Sequence, residues 1–209
     1  LEIYSSEEQQ VEAIKRFWND YGKAILGGVV IGLAGLYGWR YFQAEQREQA
    51  EQVSAQYSQL LEQQQSEGSD WLASAKGFID AQGDTSYAVF AALLAAREAI
   101  DNQQLATAAE HLSWVMNNAK DTPVQAIAQL RLARVQREQG NYADALTTLA
   151  LPVPASFEGQ QAELKGDVLQ LTGELAQAKA AYQQALASSE QSRPLLQVKL
   201  DELAHITAS

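Results

Sequence analysis

Sixteen consecutive residues without a charge, AILGGVVIGLAGLYGW from Ala24 to Trp39, constrain this chain more than any other stretch. A helix crossing the hydrocarbon layer needs about 20 apolar residues, and the flanks complete that length. Phe17, Trp18 and Tyr21 precede the run, while Trp39, Tyr41 and Phe42 close it. At a rise of about 1.5 Å per residue, Trp18 and Trp39 lie about 32 Å apart, near the hydrocarbon thickness. The pattern predicts a membrane span over 24–43. Trp18, Tyr21, Trp39 and Tyr41 are its expected interface anchors, and Lys23 and Arg40 can reach outward to water.

The glycines argue against a soluble core helix. Gly22, Gly27, Gly28, Gly32, Gly35 and Gly38 fall in this one stretch, and each would cost about 1 kcal/mol in a water-soluble helix. In a membrane, glycine instead lets a neighbouring helix approach. A cleavable signal peptide fits poorly: five acidic residues precede the run, and it ends in the bulky YGWRYF. Gly28 and Gly32 form a GxxxG face that Ala24 extends backward. Self-association and docking on another membrane protein are both compatible with it. Lys15, Arg16 and Lys23 precede the span, whereas Arg40 and Arg47 follow it among Glu45, Glu48 and Glu51. The positive-inside rule therefore favours a cytoplasmic N-terminus, with the larger C-terminal part across the membrane. In a Gram-negative source that part would lie in the periplasm.

Within residues 1–23, Val11, Ile14, Trp18 and Tyr21 recur at three- and four-residue spacing. This is an amphipathic helix pattern, opened by a cap at Ser5 or Ser6. It suits a lead-in on the membrane surface and equally a docking handle for a partner.

From Ala44 onward the pattern is helical and internally repeated. Gly140-Asn-Tyr142-Ala-Asp-Ala145-Leu146 has the G-x-Y-x-x-A-L form of the turn inside a tetratricopeptide repeat. Thirty-three residues later comes Gly173-Glu-Leu175-Ala-Gln-Ala178, followed by Tyr182 and Ala185-Leu186. Leu105-Ala-Thr-Ala108 and Leu112 echo it upstream, with Gln103 at the position of the turn glycine. A period of about 34 residues is that repeat's spacing. Gly140 and Gly173 suit a left-handed residue ending a first helix, and the alanines leave room where paired helices cross. Ala92, Gln129 and Ala162 stand where the repeat usually has a large residue. Thr122-Pro123 reads as a cap with proline at the first helical position. A helix from Pro194, with Leu196, Leu200 and Leu203 inward, would close the stack. Between span and repeats, a Gln- and Glu-rich helix over 44–66 carries an apolar edge of Val53, Tyr57, Leu60 and Leu61. Ser66–Asp70 breaks it before a shorter helix from Trp71 to near Gly83. No flexible linker separates the span from this helix. The expected fold is all-α: a single N-terminal transmembrane helix followed by a tetratricopeptide-like α-solenoid of three repeats over 44–209.

Catalysis is not expected. The chain has no cysteine, which excludes disulfides, zinc-thiolate sites and a thiol nucleophile. His111 and His205 are its only histidines, each on a helix with apolar residues nearby, Leu112 after the first and Ala204 and Ile206 around the second, and read as packed or partly exposed side chains. No metalloprotease, P-loop, serine-hydrolase or dinucleotide motif occurs. No cofactor or metal is implied. With 26 acidic and 15 basic residues the formal net charge is -11, which disfavours phosphate backbones as ligands.

Tetratricopeptide stacks bind proteins along a concave face lined by first helices. Projecting that register gives Phe90, Leu93 and Arg97 in the first repeat. Ile127, Leu130, Arg134 and Arg137 follow in the second, and Glu163, Asp167 and Gln170 in the third. Arginine and apolar anchors suit a protein interface, although Leu93, Ile127 and Leu130 fit a core role equally. The Lys/Asn set that clamps C-terminal carboxylates in some repeats is absent. Residues 44–209 carry 21 acidic and 11 basic side chains, so long-range steering should favour basic, unfolded segments.

The N-terminal E-I-Y…V-E-A-I-K-R-F-W…Y-G-K, the glycine-rich span ending G-W-R-Y-F, and R-L-A-R-V-Q at 131–136 resemble the YfgM family of ancillary SecYEG translocon subunits. The resemblance extends over the whole chain and is most specific in its N-terminal third. It implies an inner-membrane protein with a cytoplasmic N-terminus and a periplasmic repeat domain. It also implies association with SecYEG and with the membrane-anchored chaperone PpiD. The pair would hand newly translocated proteins to periplasmic chaperones, and a cytoplasmic contact would restrain the regulator RcsB. The alternative is a membrane-tethered structural scaffold for another envelope assembly.

Overall fold

The computed structural model describes residues 3–64, 70–188 and 194–208. It divides into two compact units, residues 1–55 and 56–209.

The first unit is the greater part of one helix, α1 (Ile3–Gln64). It begins ahead of Ser5 and Ser6, so those serines lie inside the helix rather than capping it. No break separates 1–23 from the apolar run, or the run from the Gln-rich stretch. The apolar stretch is long enough to cross a membrane, and only 6% of it is buried. Val30, Ile31 and Leu36 are exposed. A Cβ added at Gly28, Gly32 or Gly35 would touch nothing. An uncovered surface of this kind suits lipid or another helix as its surroundings.

The second unit is a stack of helices: α2 (Trp71–Ala81), α3 (Ser86–Asp101), α4 (Leu105–Asn118), α5 (Thr122–Glu138), α6 (Tyr142–Leu149), α7 (Ala155–Leu171), α8 (Leu175–Ala187) and α9 (Pro194–Ala208). Each packs on its successor, and α5 also touches α7. The pairs α3–α4, α5–α6 and α7–α8 are the three expected repeats. The tail of α1 joins this unit through Leu60, buried beneath Trp71, whose indole N–H donates to the Leu60 carbonyl at 2.8 Å. The Tyr57 ring lies within 6.0 Å of Phe78 and 5.2 Å of Tyr87. The expected break at Ser66–Asp70 lies outside the described residues except Asp70, which caps α2 by accepting the Ala73 N–H.

The three turns within pairs are built alike. Gln103, Gly140 and Gly173 have φ of 60°, 78° and 81°. The next residue in each case donates back five positions: Gln104 to Ala99, Asn141 to Gln136 and Glu174 to Leu169. This is the Schellman ending, which satisfies a carbonyl that the helix would leave open. Gln103 thus adopts the glycine conformation without being glycine. Just past each turn Ala108, Ala145 and Ala178 are fully buried, as the crossing geometry requires. The second repeat departs by one residue at its start. The cap position is Asp121, Thr122 is already helical, and Pro123 follows within the first turn. Proline is tolerated there because the first turn's N–H groups have no partner inside the helix.

Candidate protein-binding groove

The predicted groove residues separate into core, rim and one polar cleft. Leu130 belongs to the core: 2% exposed, it packs with Ala133, Ala145, Leu149 and Leu164. The repeat register left Leu130 between groove face and core; in the structure it packs in the core against residues of α6 and α7. Leu93 is half-buried against two core clusters, and Ile127 is half-buried on α5. Phe90 is exposed, lining a recess with Val89, Ala119 and Val124. Arg97 is exposed and only loosely paired with Asp101, at 3.7 Å one turn on. A pair that open to solvent contributes little.

Arg134, Arg137, Glu163 and Asp167 do come together. With Gln160 and Leu164 they line a cleft of about 210 Å³ between α5 and α7. Arg137 Nη1 lies 3.4 Å from Asp167 Oδ2, and its Nη2 lies 2.7 Å from Glu138. Gln170 joins the group indirectly, since the Tyr182 hydroxyl lies 2.9 Å from both Gln170 Oε1 and Asp167 Oδ1.

Glu138, Tyr182 and Lys199 of this network were not among the predicted residues. Lys199 of α9 donates to Asp167 Oδ1 at 2.6 Å and to Glu163 Oε1 at 3.0 Å, and sits 5.6 Å from the Tyr182 ring centre. Tyr182 is fully buried. Burial, then the hydrogen bond and charge of Asp167, push its phenol well above the ordinary value. Burial favours neutral Lys199, but the bonds to Asp167 and Glu163 outweigh it and hold the ammonium above its ordinary value. The only sequence signal for Lys199 is its place between the inward Leu196 and Leu203.

Gln129, at a position where the repeat usually carries bulk, is 4% exposed. Its amide donates to the Thr148 and Leu151 carbonyls at 2.9 and 3.0 Å. It ties α5 to the end of α6 with hydrogen bonds instead of volume. On α1, Ala24, Gly28 and Gly32 lie exposed one turn apart, and Trp18, Tyr21, Trp39 and Tyr41 are exposed at either end of the run. Among the described residues no three His, Asp or Glu side chains converge as metal ligands would.

The profile of the tetratricopeptide repeat-like domain family matches residues 15–205. Three relatives are each named ancillary SecYEG translocon subunit. The Haemophilus influenzae protein is 36% identical over 162 residues, 78% of this chain and 79% of its own length. The Escherichia coli protein is 33% identical over 169 residues, 81% and 82% of the two chains. The Neisseria gonorrhoeae protein is 32% identical over 208 residues, 97% of this chain and all of its own. Anchor helix, repeat stack and these similarities agree: the chain belongs to the family of ancillary SecYEG translocon subunits.

Proposed function

We propose that the chain associates with SecYEG through its membrane helix and holds protein segments with its repeat domain. In this reading residues 1–23 face the cytoplasm, 24–43 cross the inner membrane and 44–209 lie in the periplasm. The observation that carries it is an uncovered, glycine-faced apolar helix joined to a tetratricopeptide stack in one chain. Relatives named for the translocon, aligned over most of the chain, support the membrane partner. The resemblance to the family adds PpiD as co-worker in passing newly translocated proteins to periplasmic chaperones, and RcsB as a contact of the cytoplasmic segment. The role is binding, without turnover.

Photocrosslinking in native membranes tests this, with probes at Val30 in the span and Arg134 in the cleft. Crosslinks from Val30 to SecY or PpiD are expected, and from Arg134 to PpiD or exported proteins. Labelling of neither SecYEG nor PpiD from several span positions would overturn the translocon reading and put the scaffold ahead. Exchanging 24–39 for an unrelated Leu-rich span separates anchoring from recognition. Loss of SecYEG association is expected, and its persistence would show that the span is only a tether.

A further inference from the structure

The charges of the α5–α7 cleft are unequally satisfied. Asp167 accepts from Arg137 on one oxygen and from Lys199 and Tyr182 on the other, while Glu163 accepts from Lys199. Both carboxylates are engaged by the fold itself. Arg137 is engaged too, between Asp167 and Glu138. Arg134 differs. It is exposed, lines the same cleft, and has no hydrogen bond or ion pair among the described residues. Gln160 lines the same cleft, exposed and with no hydrogen bond among the described residues. Leu164 supplies an apolar wall.

The charge still available to a ligand is therefore positive. Of the 11 basic side chains in 44–209, Arg131, Arg134 and Arg137 fall within one seven-residue stretch of α5. The acidity of the domain as a whole predicts basic ligands, but the internal pairing gives this cleft the opposite local preference. Acidic surroundings make such a site selective for a short contact and poor at long-range capture.

We infer that the α5–α7 cleft receives an acidic side chain from an extended polypeptide segment, with Arg134 as the charged anchor and Gln160 as a neutral donor. Lys199 is a positioning residue: by holding Glu163 and Asp167 it keeps them from repelling the incoming carboxylate. This deepens the protein-binding reading of the groove and rests on it.

The test uses the full chain in lipid nanodiscs and short fluorescent peptides built on one leucine-containing sequence. Three are amidated at the C-terminus and carry a pair of Glu, Gln or Lys side chains. The fourth is the Gln peptide with a free C-terminal carboxylate. The Glu peptide should bind tightest, about tenfold over the Gln peptide, the scale of a charge-assisted over a neutral hydrogen bond. Salt should erode that margin. Arg134→Gln should abolish it, and Arg134→Glu should transfer the preference to the Lys peptide. Equal binding of the Glu and Gln peptides, or a margin that survives Arg134→Gln, overturns the acidic preference while leaving the groove a protein site. Tightest binding of the free-carboxylate peptide would assign the cleft to chain ends instead and overturn the side-chain assignment. Failure of all four peptides would overturn the groove reading together with this one.

Discussion

Gly166 of α7 faces the ring of Tyr182 on α8 so closely that a Cβ built on it would stand 2.5 Å from Tyr182 Cδ1 and 3.0 Å from Cζ. Tyr182 is fully buried, and Asp167 and Gln170 hold its hydroxyl, so the ring cannot step aside cheaply. Gly166→Ala should therefore destabilise the domain by about 1–3 kcal/mol, as overpacking does, despite alanine's better helix propensity. Urea unfolding decides it; an unchanged or raised midpoint would mean the ring is not pinned.

Gln103→Gly should act in the other direction. A non-glycine residue at φ 60° costs about 1 kcal/mol in the left-handed region, offset in part by the greater freedom of unfolded glycine. A net gain of about 0.5 kcal/mol is expected, seen as a modest rise in Tm. A fall would indicate that the Gln103 side chain makes a contribution larger than its backbone strain.

Gln129 separates shape from hydrogen bonding. Gln129→Met keeps most of the volume but leaves the Thr148 carbonyl without this donor, and should cost about 1–3 kcal/mol. Gln129→Glu sets a carboxylate against two carbonyls in a buried site and should cost about 3 kcal/mol or more near neutral pH. The second loss should shrink as the pH falls and the carboxyl gains a proton. Equal and pH-independent losses would count against the hydrogen-bonded arrangement.

His111 makes stability depend on pH on the acidic side. Burial lowers its pKa below the ordinary 6.5; Glu110 and Asp80 pull upward and Lys76 downward, without reversing the shift. The unfolded chain then binds the proton more readily, so the His111 contribution is intact above pH 6.5 and declines as pH falls through the native value. Urea midpoints between pH 7 and pH 5 should fall in the parent chain and fall less in His111→Gln. Identical slopes would remove His111 from the account. The side chain of His205 lies outside the described residues.

The repeats were legible because their signals are local. A turn glycine and an alanine five residues later mark each of the last two pairs, and the Schellman turns and buried alanines follow from them. The span was legible because absence of charge over sixteen residues has few soluble explanations. Leu130 stayed open between groove and core in the sequence because one helical step, about 100°, separates the two, and its burial decides for the core. The Lys199 contacts to Glu163 and Asp167 join residues 36 and 32 positions apart, and depend on where α9 docks. Tyr182 and Gly166 are likewise a matching pair only after α7 and α8 have packed.

Seventeen of the thirty-three buried apolar side chains among the described residues are alanine. Replacing side chains with alanine, the usual way of locating what matters, would leave half of this core unexamined. The informative perturbation here is enlargement. A methyl-by-methyl increase at Ala108, Ala145 and Ala178 would chart where neighbouring helices have no room to separate. It would also distinguish seams that tolerate parting from seams that do not, giving a map of where the stack can bend.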